Sequence, residues 1–197
     1  MMVFSLIPVI LSLLIATSHV GAKAATSRLS VTKRGPGCDG LGEGALSDLS
    51  SFSLSVPGGT RTYSLVFRDS GKKVGDAIIY ALAVRTGSEA IPTFSLGTGA
   101  LLADGTDRID IAIGAGEMPG FASNYGEGNH IYCAVPAGTG YALVVNSDRN
   151  GFSLCTGTAI PRRFIVYRPS GDHPDVYDVA TCRPIEVNIV QSPPSPP

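Results

Sequence analysis

The chain has 197 residues, a formal net charge of −1 and a sequence pI near 6.3. Without an excess of positive charge it has no field that would attract a nucleic acid or an anionic membrane, so neither is expected as a partner. Its length suits one domain with a sizeable core.

Residues 1–24 have the composition of a cleaved secretory signal peptide. Residues 3–16 contain no charged side chain, and Ala22-Lys23-Ala24 fits the A-x-A pattern for cleavage before Ala25, although a cut after Ala22 fits nearly as well. The basic start that such peptides usually have is missing. The apolar run is shorter than the roughly 20 residues that cross a bilayer, and no later run of that length occurs. We therefore expect a secreted, extracellular or cell-surface protein with no membrane span after signal removal.

Residues 25–190 have the pattern of many short β-strands separated by turns. Segments in which apolar and polar residues alternate, which predict strands with one exposed face, are 28–32, 52–56, 63–65, 108–113 and 185–189. Continuous apolar runs, which predict central strands, are 77–84, 141–145 and 164–167. Turn residues fill the gaps, as at 69–71. This pattern predicts an all-β fold, an antiparallel β-sandwich that is immunoglobulin-like or jelly-roll-like.

Two segments differ from that pattern. Residues 43–52 carry Leu46, Leu49 and Phe52 three positions apart and offer the one plausible helix, which Gly44 weakens. The Pro-rich residues 191–197 cannot pair in a sheet, so an extended tail is predicted there.

Four cysteines, Cys38, Cys133, Cys155 and Cys182, follow the signal, and in an exported chain they predict two disulfides. No C-x-x-C pair indicates a metal site. If residues 131–135, 141–145 and 152–156 form a meander, Cys133 and Cys155 lie two strands apart. That separation is roughly 9–10 Å, beyond the ~7 Å that a disulfide spans. Two pairings remain: Cys38–Cys133 with Cys155–Cys182, or Cys38–Cys155 with Cys133–Cys182. The first is favoured because it closes the shorter loop at the C-terminal end.

No motif indicates catalysis, and no cofactor or metal is predicted. Only His130 and His173 remain after signal removal, and the G-x-S-x-G nucleophile motif is absent. Asp104, Asp107 and Asp110 around Gly105 offer oxygen ligands for calcium. The alternative is a hairpin turn leading into a strand with acidic side chains, which Arg108 and the lack of a bidentate Glu favour.

Residues 117–130 form the longest aperiodic stretch that still carries aromatic side chains, and loops of this composition are typical of binding surfaces. Its candidate contact residues are Phe121, Asn124, Tyr125 and His130. The alternative, the more frequent one for loops, is an ordinary connection whose Phe121 packs into the core. A second candidate is the pair Arg162-Arg163, which a sulfated glycan would fit, unless it is a solvated strand end.

The sequence therefore predicts a secreted, non-catalytic β-sandwich protein that binds a host or cell-surface protein or glycan through loops, as in cell adhesion. One alternative is a pilin-like or coat-like subunit that forms homo-oligomers when residues 28–32 and 185–189 complete a neighbour's sheet. A second alternative is a small secreted hydrolase that uses His130 or His173.

Overall fold

The structure, a computed structural model, describes residues 36–103, 108–111, 113–123 and 126–191. These residues form thirteen strands and one 3-10 turn, Pro36–Cys38, and include no α-helix. The strands are β1 (Leu49–Gly58), β2 (Arg61–Val74), β3 (Ala77–Val84), β4 (Phe94–Gly97), β5 (Ala100–Ala103), β6 (Arg108–Asp110), β7 (Gly120–Ser123), β8 (Tyr132–Ala137), β9 (Gly140–Val145), β10 (Phe152–Gly157), β11 (Arg163–Tyr167), β12 (Tyr177–Pro184) and β13 (Val187–Gln191).

All the strand pairs are antiparallel, so the predicted all-β antiparallel class is confirmed. Seven strands pair in a closed ring in the order β1, β2, β3, β7, β6, β5, β4 and back to β1. Two extensions leave this ring: β13, β9 and β8 continue from β1, and β11, β10 and β12 continue from β3.

The main hydrophobic core contains buried residues of the ring and of both extensions, including residues of β8, β9, β10, β11 and β13. Its centre is aromatic: the Phe67 ring lies 5.5 Å from that of Phe94 and 5.0 Å from that of Phe121, and the Phe94 ring lies 6.1 Å from that of Phe52. Burial of each such ring stabilises the fold by about 1.5–3 kcal/mol. This aromatic centre therefore depends on side chains from β1, β2, β4 and β7 together.

The two disulfides are Cys38–Cys133 and Cys155–Cys182, the pairing that the sequence favoured. The reason for excluding Cys133–Cys155 was wrong, however. The β8–β9 hairpin forms, but β10 does not pair with β9; it pairs with β11 and β12 on the other extension. Cys133 and Cys155 therefore lie on different extensions, with most of the strands of the sheet between them instead of one.

Two other local predictions fail. Residues 43–52 are not helical, because β1 begins at Leu49 and alternation buries Phe52 and Leu54 on one face. The turn predicted at residues 69–71 is an irregularity inside β2, where the register with β3 shifts between Asp69 and Lys73 and Gly71 has φ +75°. Residues 28–32, like the signal segment and residues 192–197 of the predicted tail, lie outside the described residues.

Candidate functional site

The predicted contact residues that the structure describes do not form one site. Phe121 is fully buried in β7 opposite Tyr80 of β3, so its prediction as a contact residue is wrong and the alternative, a core position, holds. The reason is that β7 supplies a wall of the ring, and Phe121 is the side chain by which it joins the aromatic core. Asn124 and Tyr125 lie outside the described residues.

His130 and Arg162 contact loops that flank opposite ends of β4. The Nδ1 atom of His130 lies 2.9 Å from Oγ1 of Thr98, which follows β4. Arg162 donates from Nη1 to Oε1 of Glu89, which precedes β4, over 3.2 Å. Arg163 lies elsewhere again, with its guanidinium 4.7 Å from the centre of the Tyr63 ring. Each of these side chains therefore has a local structural partner.

Asp110 is fully buried, and its carboxylate is already bound by protein donors. Leu101 N donates to Oδ1 over 2.9 Å, while Asn129 donates to Oδ2 from its backbone N over 3.2 Å and from Nδ2 over 3.3 Å. Burial raises the pKa of Asp110 despite these hydrogen bonds. This carboxylate therefore ties β5, β6 and the segment before β8 together. Its proposed calcium partners Asp104 and Asp107 lie outside the described residues, and the described ones include no cluster of metal-ligating side chains.

Two adjoining cavities lie beside the irregular part of β2, of about 80 Å³ and about 220 Å³. We call them together the groove. Both are lined by Ser70, Lys72, Met118 and Val176, so they meet at these side chains. The first is completed by Ile79, Ala81, Ile111, Gly116, Glu117, Gly120 and His173, and the second by Asp69, Gly71, Gly157, Ala159, Ile160, Phe164 and Asp175.

One wall of the groove, residues 114–118, is held against the end of β11. Gly116 N donates to Tyr167 O over 2.7 Å, and Tyr167 N donates to Glu117 O over 2.8 Å. Gly116 has φ +84°, and a Cβ atom there would lie 2.7 Å from Cδ2 of His173. Glycine at this position therefore permits both the backbone turn and the close approach of the histidine ring.

A second wall, residues 169–176, is held by Tyr177 and Thr158. The fully buried Tyr177 accepts a hydrogen bond from Ser170 N and donates one to Ser170 O, both over 3.0 Å. Thr158 donates from Oγ1 to Pro174 O over 2.9 Å. Because both walls are fixed by the protein's own hydrogen bonds, the groove exists before any ligand arrives, as is usual for binding sites.

The groove combines apolar surface with a few polar groups. Ile160 is 44% exposed, and Lys72 has no ion-pair partner among the described residues. Ser70 and His173 both line the first cavity, and the Oγ of Ser70 donates to Ile79 O over 2.7 Å and accepts from Lys72 N. The hydroxyl of Ser70 is therefore already hydrogen-bonded to the backbone of β2 and β3.

The groove was missed in the sequence because its parts are far apart along the chain. Of its lining, only Glu117, Met118 and Gly120 fall in the predicted binding loop, and the sequence marks His173 solely as a catalytic candidate. Ser70 and Lys72 lie where the register of β2 with β3 shifts, and the sequence of this segment has the residues of an ordinary turn. Pairing of β3 with β11 joins these segments, and single-sequence patterns do not encode it.

The chain matches no model of a known protein family, no curated protein and no solved structure. Among the residues that the structure describes, no helix is long and apolar enough to span a membrane. The two disulfides are compatible with an extracellular protein.

Proposed function

We propose that the mature chain is an exported, non-catalytic β-sandwich protein that binds an extracellular protein or glycan in the groove. The preformed groove carries this proposal: it offers exposed Ile160 and the unpaired Lys72 between two walls that the protein itself holds in place. Residues 1–24 and the two disulfides support export.

A sandwich arrangement is supported by how the aromatic core is supplied. Phe67 of β2 packs across the ring against Phe94 of β4 and Phe121 of β7, whereas Phe52 and Phe94 are neighbours on the paired strands β1 and β4. The contacts of Phe67 are of the kind that two sheets make when they meet face to face through alternate side chains.

The alternative of assembly by strand addition gains little support from the described strands. β13 contains most of the segment considered for it, yet β13 is paired on both edges, with β1 and β9. The edge of β8 is covered by Leu46, which exchanges hydrogen bonds of 2.8 and 2.9 Å with Ala134. At the other edge, β12 has a register irregularity, a device that discourages pairing with another chain.

The test of the proposal uses the disulfide-bonded mature chain on an array of extracellular glycans and purified matrix proteins. K72A/I160S removes the free ammonium and the exposed apolar side chain of the groove. K73A/V190S is the matched control, since Lys73 and the 47%-exposed Val190 do not line the groove. We expect the first double variant to lose at least tenfold in affinity for the array ligand, about 1.4 kcal/mol, and the control to keep it.

Both variants should keep the thermal midpoint of the wild type, because the altered side chains are exposed. Absence of binding by the wild-type protein, or an equal loss in both variants, would contradict the proposal. Loss of a hydrolytic activity on replacing His173 alone would instead support the hydrolase alternative.

A further inference from the structure

Two arginines, Arg68 and Arg162, share the carboxylate of Glu89 on the outer face of β2, β3 and β11, and a third arginine lies on the same face. Leu82 and Val84 of β3 point into the main core, whereas Ala81 and Ala83 belong to a separate cluster with Phe164. Alternation along the strands therefore places Arg68 and Arg85 on that second, outer face. We call Arg68, Arg85 and Arg162 the arginine cluster.

The strand register brings these residues to one place. Phe164 of β11 is paired with Ala83 of β3, and extending this register by two residues sets Arg162 opposite Arg85. Arg68 is paired with Ala81, one outward-facing position below Ala83.

The cluster has more positive charge than its one acidic partner neutralises. Glu89 Oε1 accepts from Arg68 and, over 3.2 Å, from Arg162, while its Oε2 accepts from Gly87 N over 2.9 Å. The carboxylate of Glu89 thus pairs with Arg68 and Arg162, and no ion pair of Arg85 is present among the described residues, so the three arginines carry two more charges than this one carboxylate neutralises.

Two donors of the cluster are buried without an acceptor. The Nε atoms of Arg68 and Arg85 are both inaccessible to solvent, and neither has a hydrogen-bond partner within the described part of the chain. An unsatisfied buried donor is costly and calls for an explanation. An anionic oxygen placed between the arginines would supply the missing acceptor, and guanidinium forks fit sulfate and carboxylate groups well.

The arginine cluster adjoins the groove. Arg68 is two residues before Ser70, and Arg162 two residues after Ile160; Ser70 and Ile160 both line the groove, as does Lys72. The groove adds the ammonium of Lys72, and its lining also contains the carboxylates of Asp69, Glu117 and Asp175. A ligand with an anionic group at the cluster and hydroxyls along the groove would match this arrangement.

We propose that the ligand is an anionic glycan carrying sulfate or uronate groups, with one acidic group held by the arginine cluster and the chain continuing into the groove. This inference rests on the proposed function, because an exported protein meets polyanions mainly as such glycans. The weak net charge of the whole chain disfavours a nucleic acid, whose binding needs a broad basic surface.

The test measures affinity of the mature chain by calorimetry for three octasaccharides: a sulfated heparin fragment, a hyaluronan fragment with carboxylates only, and a neutral maltodextrin. A 12-nucleotide single-stranded DNA is the fourth probe. We expect binding of the sulfated fragment, the uronate fragment or both, weakening as salt rises, and no binding of the neutral one. A preference between the two acidic fragments identifies the anionic group.

Two variants are expected to change the affinity in opposite directions, which separates an effect on binding from a loss of folding. R85Q removes a charge and should weaken binding about tenfold, whereas E89Q removes the competing carboxylate and should strengthen it severalfold. A misfolded protein cannot mimic the gain. R149Q is the control, since Arg149 donates to Leu41 O on the other extension. No binding of either acidic fragment, equal effects of R85Q and R149Q, or DNA binding as tight as glycan binding would overturn the inference.

Failure of this inference is distinguishable from failure of the proposed function. If K72A/I160S abolishes binding of a neutral glycan or a protein while R85Q and E89Q change nothing, the groove is a binding site and only the anionic assignment falls. If neither set of variants affects any ligand, both fall.

Discussion

The two extensions of the ring are built from the same parts, three strands and one disulfide each, but they differ in what covers them. On the extension of β13, β9 and β8, residues 37–46 lie over the last strand and make a second small core of Cys38, Ala45, Cys133, Val135, Ala142 and Val144. We call this the sealed extension. On the extension of β11, β10 and β12, the open extension, β12 ends the strand order of the described residues, and Met118 and Val176 pack on a smaller cluster of Cys155, Val166 and Tyr177. The groove lies beside β11 of this extension.

Under the proposed function, this difference assigns stability to one extension and ligand binding to the other. The sealed extension places the disulfide at full burial, with both Cys38 and Cys133 at 0% exposure. The open extension leaves Cys182 partly exposed, and Ile160 and Val179 project from it. Loops that carry binding residues need such a rigid scaffold behind them.

Removal of the disulfides should give the largest difference between the extensions. The cysteines of Cys38–Cys133 are 95 residues apart and those of Cys155–Cys182 are 27 apart. Loop-closure entropy then gives losses of about 4.7 and about 3.6 kcal/mol for paired Cys→Ala variants. Urea unfolding of C38A/C133A and C155A/C182A measures both.

The sealed extension should lose more than this entropy alone, because its cysteines also fill a core. Ligand binding should respond in the opposite order, since only Cys155–Cys182 lies on the extension that forms the groove. A larger stability loss for C155A/C182A would contradict the assignment of the scaffold role to the sealed extension.

Two fully buried tyrosines allow a finer comparison. Tyr132 on the sealed extension has a hydroxyl without a hydrogen-bond partner among the described residues, whereas the hydroxyl of Tyr177 makes two hydrogen bonds with Ser170. Burial and the charge of Asp110 raise the pKa of Tyr132 well above its usual value, so the phenol stays neutral. Y177F should cost about 1–3 kcal/mol and Y132F about zero, because only the first leaves a partner unsatisfied.

Thermal melts of the two Tyr→Phe variants provide the measurement. Y177F should also weaken ligand binding, since Ser170 holds a wall of the groove, and Y132F should not. Equal destabilisation by both changes would show that the hydroxyl of Tyr132 has a partner after all.

The sequence predicted those parts of the fold that depend on local patterns. Residues 77–84 were predicted as a strand with the bounds that β3 has, and the 141–145 strand and its hairpin with β8 were also predicted correctly. Alternation and turn residues suffice there, because partners in a hairpin are neighbours in the chain.

The same local patterns do not predict pairing between strands that are far apart in the sequence. The chain leaves β9 through Asn146 and Ser147, both with positive φ, and crosses to the open extension instead of forming another hairpin. Asn150-Gly151 on its own indicates a hairpin between β9 and β10. That prediction was wrong because β10 pairs with β11 and β12 instead. The groove was unpredictable for the same reason, since its walls meet only after this crossing.

The smallest predicted effect compares two aspartates under changing pH. Asp110 joins the ring to the segment before β8, and burial raises its pKa from 3.8. For Asp148, before β10, burial alone would raise the pKa, but hydrogen bonds from Arg168 and Asn150 N, with the charge of Arg168, lower it overall. Their contributions to stability should therefore change in opposite directions as the pH falls.

A raised folded-state pKa means that the folded protein takes up the proton first. The penalty from charged Asp110 is present at neutral pH and is relieved as the pH falls through its folded pKa towards 3.8. Asp148 stabilises the fold above 3.8 and loses that contribution below it, as the pH falls through its folded pKa. Urea unfolding of the wild type, D110N and D148N across this pH range gives the free energy of unfolding of each protein. As the pH falls, the free energy of unfolding of the wild type should rise relative to that of D110N. At lower pH the wild type should lose its higher stability relative to D148N. If the free energy of unfolding changed with pH in the same way for all three proteins, neither carboxylate would have a different pKa in the folded and unfolded states. Electrostatics would then not distinguish the buried Asp110 from Asp148 at the surface.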